Sequence, residues 1–410
     1  MSANAATTQY DIAIVGGGMV GASFALALRG TPWRAVLIEG VAPDSTAQPS
    51  FDERTTALGN GSRQVFQALG VWQAMAPHAA PIKAIHVSDA GRYGFARLDA
   101  TAQGVDAFGY VVPNRVIGRA LWAGLSEAGW VDVLMPARPV AIDTSADSLA
   151  LTVDCGDSGQ RRLTCALAVA ADGAQSMLRT ASGLSAHVED YGQVAVVVNV
   201  AADRPNDGTA YERFTPTGPL AVLPLPDGSY TVVWTLRPDR AAAVLQLSDE
   251  NFLTELMQAF GWRAGRLLKV GRRGSYPLKL TRADATIANR TVLVGNSAQA
   301  LHPVAGQGFN LGLRDAATLA ELLALHTGDP GSSALLQQFA DWRAQDRRGV
   351  TRFTDSLVKL FADQRPGFGV ARNLGMLLFD LSPTAKTALS RVSWGFAGRM
   401  PRLVRGLPLN

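Results

Sequence analysis

Cysteine is almost missing from this chain: Cys155 and Cys165 are the only two in 410 residues. Two thiols supply neither a disulfide framework nor a four-ligand zinc site, and their spacing matches no redox pair, so both are expected to be small buried hydrophobes. Histidine is scarce too. The five present (His78, His86, His187, His302 and His326) form no HExxH and no pair at ligand spacing, which argues against a protein-bound metal. A GxSxG elbow for a serine hydrolase is also missing. No basic n-region precedes the first apolar strand, and the uncharged run from Ile12 to Leu28 is too short and too glycine-rich to span a membrane, so a cytoplasmic location is expected. Charge of one sign is lacking as well. With 38 basic and 34 acidic residues the net charge is +4, without a dense basic block, which excludes a nucleic-acid partner.

Core-forming residues are plentiful: 47% are hydrophobic and 18% charged. At about 150 residues per domain this is a globular chain of two to three domains, large enough to fold without disulfides or metal.

The first forty residues carry the clearest signal. Asp11 to Val15 reads as a strand, GGGMVG as a glycine turn, FALAL as the start of a helix, and Ala35 to Ile38 as a second strand ending at Glu39. In that context Gly16 permits the tight turn, Gly17 extends it, and Gly18 lets the backbone approach a pyrophosphate. Gly21 lets the helix pack on the strand, while the helix N-terminus attracts phosphate. A carboxylate at Glu39 is placed to accept both hydroxyls of an adenosine ribose. The pattern announces a dinucleotide site without separating FAD from NAD.

Two later segments repeat the strand-turn-helix order. Ala166 to Ala171 is followed by DGAQSMLR, with Asp172, Gly173, Ser176 and Arg179 in sequence. Thr291 to Val294 runs into GNSAQALHPVAGQGFNLGLRD and an amphipathic helix, where N–H groups around Gly308 to Leu311 are placed to face an anion.

Together, GGGMVG with Glu39, DGAQSMLR and GNSAQALHPVAGQGFNLG resemble the FAD-dependent aromatic hydroxylases of the p-hydroxybenzoate hydroxylase type. The last loop, with FDERTTALGNGSRQVFQALGVW and RFTPTGPLAVLPL, is most similar to the ubiquinone-biosynthesis branch of that family. One departure stands out. The family's third motif opens Gly-Asp with a following Ala-His, whereas this chain has Gly295-Asn296 and Ala298-Gln299. Asparagine keeps an acceptor oxygen while losing the charge, so FAD binding is expected to survive. The Asn and Gln pair resembles the branch members that act on polyprenyl methoxyphenols.

The resemblance implies an α/β fold: a discontinuous Rossmann-type FAD domain (1–80, 112–190 and 285–345), an inserted antiparallel β-sheet substrate domain (81–111 and 191–284) and a helical C-terminal region (346–410). It implies that Gly16, Gly17, Gly18, Gly21 and Glu39 hold the ADP half of FAD. Arg54 would lie near the flavin and pyrophosphate, unless it is simply paired with Asp52 or Glu53. Asp172 and Gly173 would contact the cofactor, Asn296 the ribityl chain, and Gly308, Phe309 and Asn310 the isoalloxazine. His302 and Pro303 would position the substrate phenol, through backbone carbonyls rather than the imidazole. Phe214 and Leu223, in the RFTPTGPLAVLPL stretch that spans two of four strand-like segments between 191 and 284, would wall the pocket. The implied reaction adds one oxygen of dioxygen to a polyprenyl phenol ring through a flavin 4a-hydroperoxide, converting a 2-polyprenyl-6-methoxyphenol into the 1,4-benzoquinol.

Two rival functions stay open: a same-fold monooxygenase acting on a soluble phenol or another ubiquinone intermediate, and a flavin-bound scaffold subunit without turnover. No second GxGxxG is present, so NADPH, NADH and a reductase protein are all open as electron donor. Residues 351–410 hold nine basic and three acidic side chains, or +6. Two apolar helical faces lie there (Phe353, Leu357, Phe361; Ala385, Leu389, Val392, Phe396), with an apolar cluster at Leu374, Met376, Leu377, Leu378 and Phe379. The expectation is contact with anionic lipid at the inner face of the membrane, with a lipid carrier, or with other ubiquinone-biosynthesis proteins.

Overall fold

An apolar run without alternation is what a strand buried on both faces requires, and the first such run becomes the central strand of the molecule. The computed structural model describes residues 8–409, apart from 44, 46, 47, 49–51, 53, 128, 302–305, 363–372, 374, 375, 377–379, 381 and 383–398. Strand β1 (Thr8–Val15) lies between β2 (Ala35–Ile38), followed by β8 (Val131–Leu134), on one side, and β11 (Gln160–Ala170), followed by β19 (Thr291–Leu293), on the other. All five are parallel. The chain order therefore reverses at β1, and crevices at such switch points hold ligands in open α/β sheets. β18 (Ile287–Ala288) forms one antiparallel edge, while β10 (Leu149–Asp154) and β9 (Arg138–Thr144) extend antiparallel from β11.

Helices α1 (Met19–Ala27), α4 (Asn114–Ser126) and α8 (Gln307–Ala324) cover one face, burying Phe24, Leu26, Leu121 and Leu319 against Ile12, Ile14 and Leu167. The other face packs Val15, Ile38 and Leu293 on Leu149, Leu151 and Leu178, the last from α5 (Met177–Ala181).

A second, larger sheet runs β20 (Gln299–Ala300), β17 (Gly274–Ala283), β12 (Ala186–Ala202), β15 (Tyr230–Leu236), β14 (Gly218–Pro224), β13 (Thr209–Thr215), β5 (Ala84–Asp89) and β6 (Phe95–Asp99), with β16 (Leu267–Val270) also on β12. Helices α6 (Pro238–Leu245) and α7 (Asp249–Phe260) cover one of its faces, placing Phe252, Leu256 and Phe260 on Val196, Val222 and Val232. A small sheet of β3 (Thr55–Gly59), β7 (Gly109–Pro113) and β4 (Ala80–Ile82) packs on the opposite face, with α2 (Asn60–Ala68) and α3 (Trp72–Met75) continuing around it.

Several sequence expectations shift in three dimensions. Strand β12 begins at Ala186, not 191, and β7 pairs with β3 and β4 rather than with the second, larger sheet. The expected boundary at 345/346 falls inside one helix, α9 (Ser333–Ala362). At the chain's end Leu403 and Val404 are buried in the β1 core, and the Arg402 N–H is bonded to the Glu321 carboxylate. The C-terminal region is thus tied to the first core at both ends. The helical face at Ala385 to Phe396 and most of the apolar cluster lie outside the described residues, whereas Met376 is buried against Phe214 and Val87. Cys165 is buried as expected, which pushes its thiol up to about 12, but Cys155 is only half-buried. No helix among the described residues is long and apolar enough to cross a membrane.

Candidate functional site

The crevice forms where β1, β2, β11 and β19 end. Main-chain bonds carry the sheet one residue further: Gly16 N–H to Ile38 O at 2.9 Å, Ala171 N–H to Val15 O at 2.8 Å, and Val294 N–H to Ala170 O at 3.0 Å. Three loops leave from there, each from one of the segments singled out in the sequence.

The first turn needs its glycines for different reasons. Gly16 adopts φ +100°, a left-handed conformation disfavoured for L side chains, and a Cβ there would stand 2.5 Å from Ala171 O. A Cβ at Gly21 would overlap Gly16 O. Gly18 precedes α1 without any side-chain cap, and the first turn of α1 holds no acid, so its N–H groups face the crevice with their positive end uncompensated. Glu39 is buried at the end of β2 and accepts the Gly17 N–H at 2.5 Å and the Val41 N–H at 2.8 Å. An ionised carboxylate has about four acceptor positions, so capacity remains for a ribose hydroxyl. Glu39→Gln would turn an amide donor toward one of those N–H groups, at about 1–3 kcal/mol. The expected result is about a ten- to hundredfold loss of FAD affinity, since about 1.4 kcal/mol is tenfold, read by titrating apoprotein with FAD. Trp122, which the sequence reading passed over, closes this turn by donating its indole N–H to Gly17 O at 3.2 Å.

In the second loop Asp172 accepts the Leu178 N–H at 3.1 Å through Oδ2, while its buried Oδ1 has no partner among the described residues. Gly173 follows at φ +84°. Ser176 caps α5 by accepting the Arg179 N–H at 3.0 Å, and the buried Arg179 guanidinium donates to Ser297 O and Ala174 O, both at 2.9 Å. Arg179 therefore fastens the second loop to the third instead of standing in solvent.

The third loop is held from behind. Ser297 Oγ donates to Ala170 O, and the Gly295 N–H donates to the fully buried Asp315 at 3.2 Å. Asn296 is exposed above these anchors, and the buried Gln299 Nε2 nearby has no partner among the described residues. Helix α8 begins after Gly306 with neither a side-chain cap nor an acid in its first turn, and a Cβ at Gly308 would meet nothing within 4 Å.

The side chains of Phe309 and Asn310 are both engaged by the protein itself. The Phe309 ring lies 6.2 Å from Phe66, packed on the first core. The Asn310 amide is committed inward: Oδ1 accepts the Gly59 N–H and the Ser62 hydroxyl, and Nδ2 donates to Ala57 O and Gly306 O. Of the three, Gly308 leaves open space. Arg54 pairs with Asp52 at 2.6 Å and lies 4.5 Å over the Tyr276 ring. Phe214 and Leu223 share one face of the second, larger sheet. His302 and Pro303 lie outside the described residues. The described residues contain no group of three His, Cys, Asp or Glu that could hold a metal.

Two uncapped helix N-termini, a buried carboxylate oxygen awaiting a donor and the open space at Gly308 fit a dinucleotide whose phosphates and sugar hydroxyls satisfy them. Comparison with known proteins extends this beyond the crevice. The chain is 36% identical over 405 residues to the ubiquinone hydroxylase UbiL of Rhodospirillum rubrum, covering 97% of this chain and 93% of that one. It is 29% identical to the 3-demethoxyubiquinol 3-hydroxylase of Escherichia coli, covering 94% and 98%. Its fold matches the p-nitrophenol 4-monooxygenase PnpA of Pseudomonas putida with a TM-score of 0.79 at 20% identity, over 96% of this chain and 100% of that one. A family model for the FAD binding domain matches residues 9–354, spanning all three loops of the crevice, and the chain belongs to that family.

Proposed function

We propose that this chain is an FAD-dependent monooxygenase that hydroxylates the ring of a polyprenyl phenol in ubiquinone biosynthesis, taking 2-polyprenyl-6-methoxyphenol to 2-polyprenyl-6-methoxy-1,4-benzoquinol. The observation that carries it is the full-length likeness to ubiquinone hydroxylases, with the crevice loops falling inside the matched family region. When bound and reduced by NADPH, NADH or a reductase protein, FAD supplies the activation of dioxygen that no side chain provides.

The protein's share is binding and positioning. Gly16, Gly17, Gly18, Gly21 and Glu39 hold the adenosine end, and the α1 N-terminus faces the pyrophosphate. Asp172 Oδ1 accepts from a sugar or ring donor, and Asn296 meets the ribityl chain. Arg179 and Asp315 keep the loops carrying them in register, while Asn310 locks the first turn of α8 so that its N–H groups and Gly308 present a fixed edge to the ring system. The substrate sheet closes over this edge and keeps water away from the reacting ring. Backbone carbonyls at His302 and Pro303 are assigned to the phenol side of the cavity. Contact of residues 351–410 with an anionic bilayer belongs to the same reading, because a polyprenyl tail partitions into lipid.

Mass spectrometry of lipid extracts tests the assignment. Cells lacking the protein are expected to accumulate 2-polyprenyl-6-methoxyphenol and lose the quinone, and the intact gene restores it. An unchanged quinone pool would overturn the proposal.

A further inference from the structure

Strand β13 presents two different faces, because successive side chains alternate. Tyr211 and Arg213 look toward α7, where the Tyr211 ring meets Phe260 edge-on at 5.4 Å and Arg213 Nε donates to Ala259 O at 2.9 Å. Ala210, Glu212 and Phe214 therefore share the opposite face. There Ala210 and Leu223 pack with Ala57, Ile82 and Val111, and Phe214 packs with Val87 and Met376. Ala57 also lies against Gly306, the residue that opens α8, 3.1 Å from where a Cβ would stand. This face of the sheet thus looks toward the same α8 terminus that borders the crevice.

Register places Glu212 between Ala221 of β14 and Val87 of β5. Around it Val197, Ala221, Leu223 and Val233 are only half-buried, whereas Val196, Val222 and Val232 on the α7 side are sealed. The crevice-facing side is an apolar wall with neighbours missing, and Glu212 is a carboxyl set into it. No hydrogen bond or ion pair engages Glu212 among the described residues. Burial alone pushes its carboxyl up to about 7.

Charged groups nearby are committed elsewhere. On β5, Asp89 pairs with Arg92 at 3.5 Å, and Arg213 of β13 points to the other face. Asn373 and Asp380 accept the β6-side N–H groups of Gly94 and Arg97. β3, β4, β7 and β14 carry no charged residue.

An isolated carboxyl in an apolar wall is costly unless a partner satisfies it. A phenol matches it: an apolar ring with one hydroxyl donor. Resting on the polyprenyl-phenol reading above, we infer that Glu212 receives the substrate's phenol hydroxyl, accepting its hydrogen bond and then its proton as the ring is hydroxylated. The phenol O–H bond breaks, an Oε–H bond forms on Glu212, and the electron pair left on the phenol oxygen makes the ring a better nucleophile. As the hydroxylated ring regains aromaticity, its ring carbon gives up its hydrogen as a proton to water and the original phenol oxygen takes back the proton from Glu212, which ends ionised; no oxidant or reductant beyond those of the proposed hydroxylation is consumed.

The sign of the pH dependence follows from which form works. The ionised carboxylate is the acceptor, so binding and turnover rise as pH climbs through about 7 and level off above it. With 2-methoxyphenol as probe and the FAD-loaded protein, the dissociation constant is expected to fall about tenfold across that limb, because hydrogen bonds to ions are stronger than neutral ones. Hydroxylation rate is expected to follow. Glu212→Gln, with unchanged FAD content, is expected to lose the limb in both measurements and about a hundredfold in kcat, the lower range for general-base contributions. Glu212→Asp keeps the limb at a reduced rate. An unchanged profile and rate in Glu212→Gln, while wild type hydroxylates the probe, would overturn the role of Glu212 alone. A wild-type protein that neither binds nor hydroxylates any phenol would overturn the phenol reading and this inference with it.

Discussion

Gly21→Ala is expected to yield protein without flavin. The added methyl would overlap the carbonyl oxygen of Gly16, whose own φ of +100° is held by a turn packed on Ala171 and Asp172. Overpacking costs about 1–3 kcal/mol where side chains can yield. Here the obstacle is main chain, and moving it pulls Gly16 away from Ile38 and breaks the bond at 2.9 Å. At about 1.4 kcal/mol per tenfold, FAD affinity is expected to drop by about a hundredfold or more. Gly308→Ala is the comparison that makes the result specific. A Cβ at Gly308 meets nothing within 4 Å of the protein, so the ligand-free fold keeps its denaturation midpoint. Flavin absorbance of the purified proteins and urea denaturation of their apo forms check both statements. A yellow Gly21→Ala protein with wild-type affinity would contradict this account of the turn.

Asp315→Ala is expected to be the most destabilising single change in the core behind the site. Asp315 is fully buried between Arg343 Nε at 2.8 Å and Arg347 at 3.1 Å, and it accepts the Gly295 N–H. Arg314 and Arg343 also share Asp346, at 2.8 and 2.6 Å. Three guanidinium groups and two carboxylates are thus held between α8 and α9. Removing one partner from a buried pair costs about 3–5 kcal/mol, because the surviving charge stays buried without compensation. Asp315→Ala leaves Arg347 in that state, strips Arg343 of one of its two carboxylate partners and frees the loop carrying Asn296. Both the urea midpoint and FAD affinity should fall, and an unchanged midpoint would show that water or another acceptor replaces the carboxylate.

The same network sets the acid limit. Burial pushes the Asp346 carboxyl up, but Arg343 and Arg314 outweigh it and hold it below the usual range. Its folded pKa is depressed, so its contribution is complete above the unfolded value of about 3.9 and is lost as pH falls through the folded one.

Some of the site was legible because its constraints are local. A strand, a glycine turn, a helix and a second strand ending in Glu39 occupy the first 39 residues, and each glycine answers a demand made by residues close in sequence or by the adjoining strand end. Ser176 as the cap of α5 is equally local, because the bond it accepts comes from three residues on. Arg54 combines a local and a distant constraint: Asp52, two residues away, pairs with its guanidinium, while Tyr276 lies under it from far along the chain. Phe309 and Asn310 adjoin Gly308 in the sequence, and only the helical turn shows that their side chains go into the core and toward β3, while a Cβ at Gly308 would meet nothing within 4 Å.

The sequence by itself determined the cofactor class, the family and the positions of the three loops, since these depend on short runs of residues whose backbone preferences act where they stand. Only the tertiary structure decided what holds those loops and what faces them. Arg179 reaches a carbonyl 118 residues away, and Trp33 donates to a carbonyl 290 residues away. Glu212 reads in sequence as an ordinary strand carboxylate, and its character appears only when β5, β14 and the small sheet surround it with apolar side chains. Burial and pairing are properties of neighbours in space, and in this protein the decisive neighbours come from distant parts of the chain.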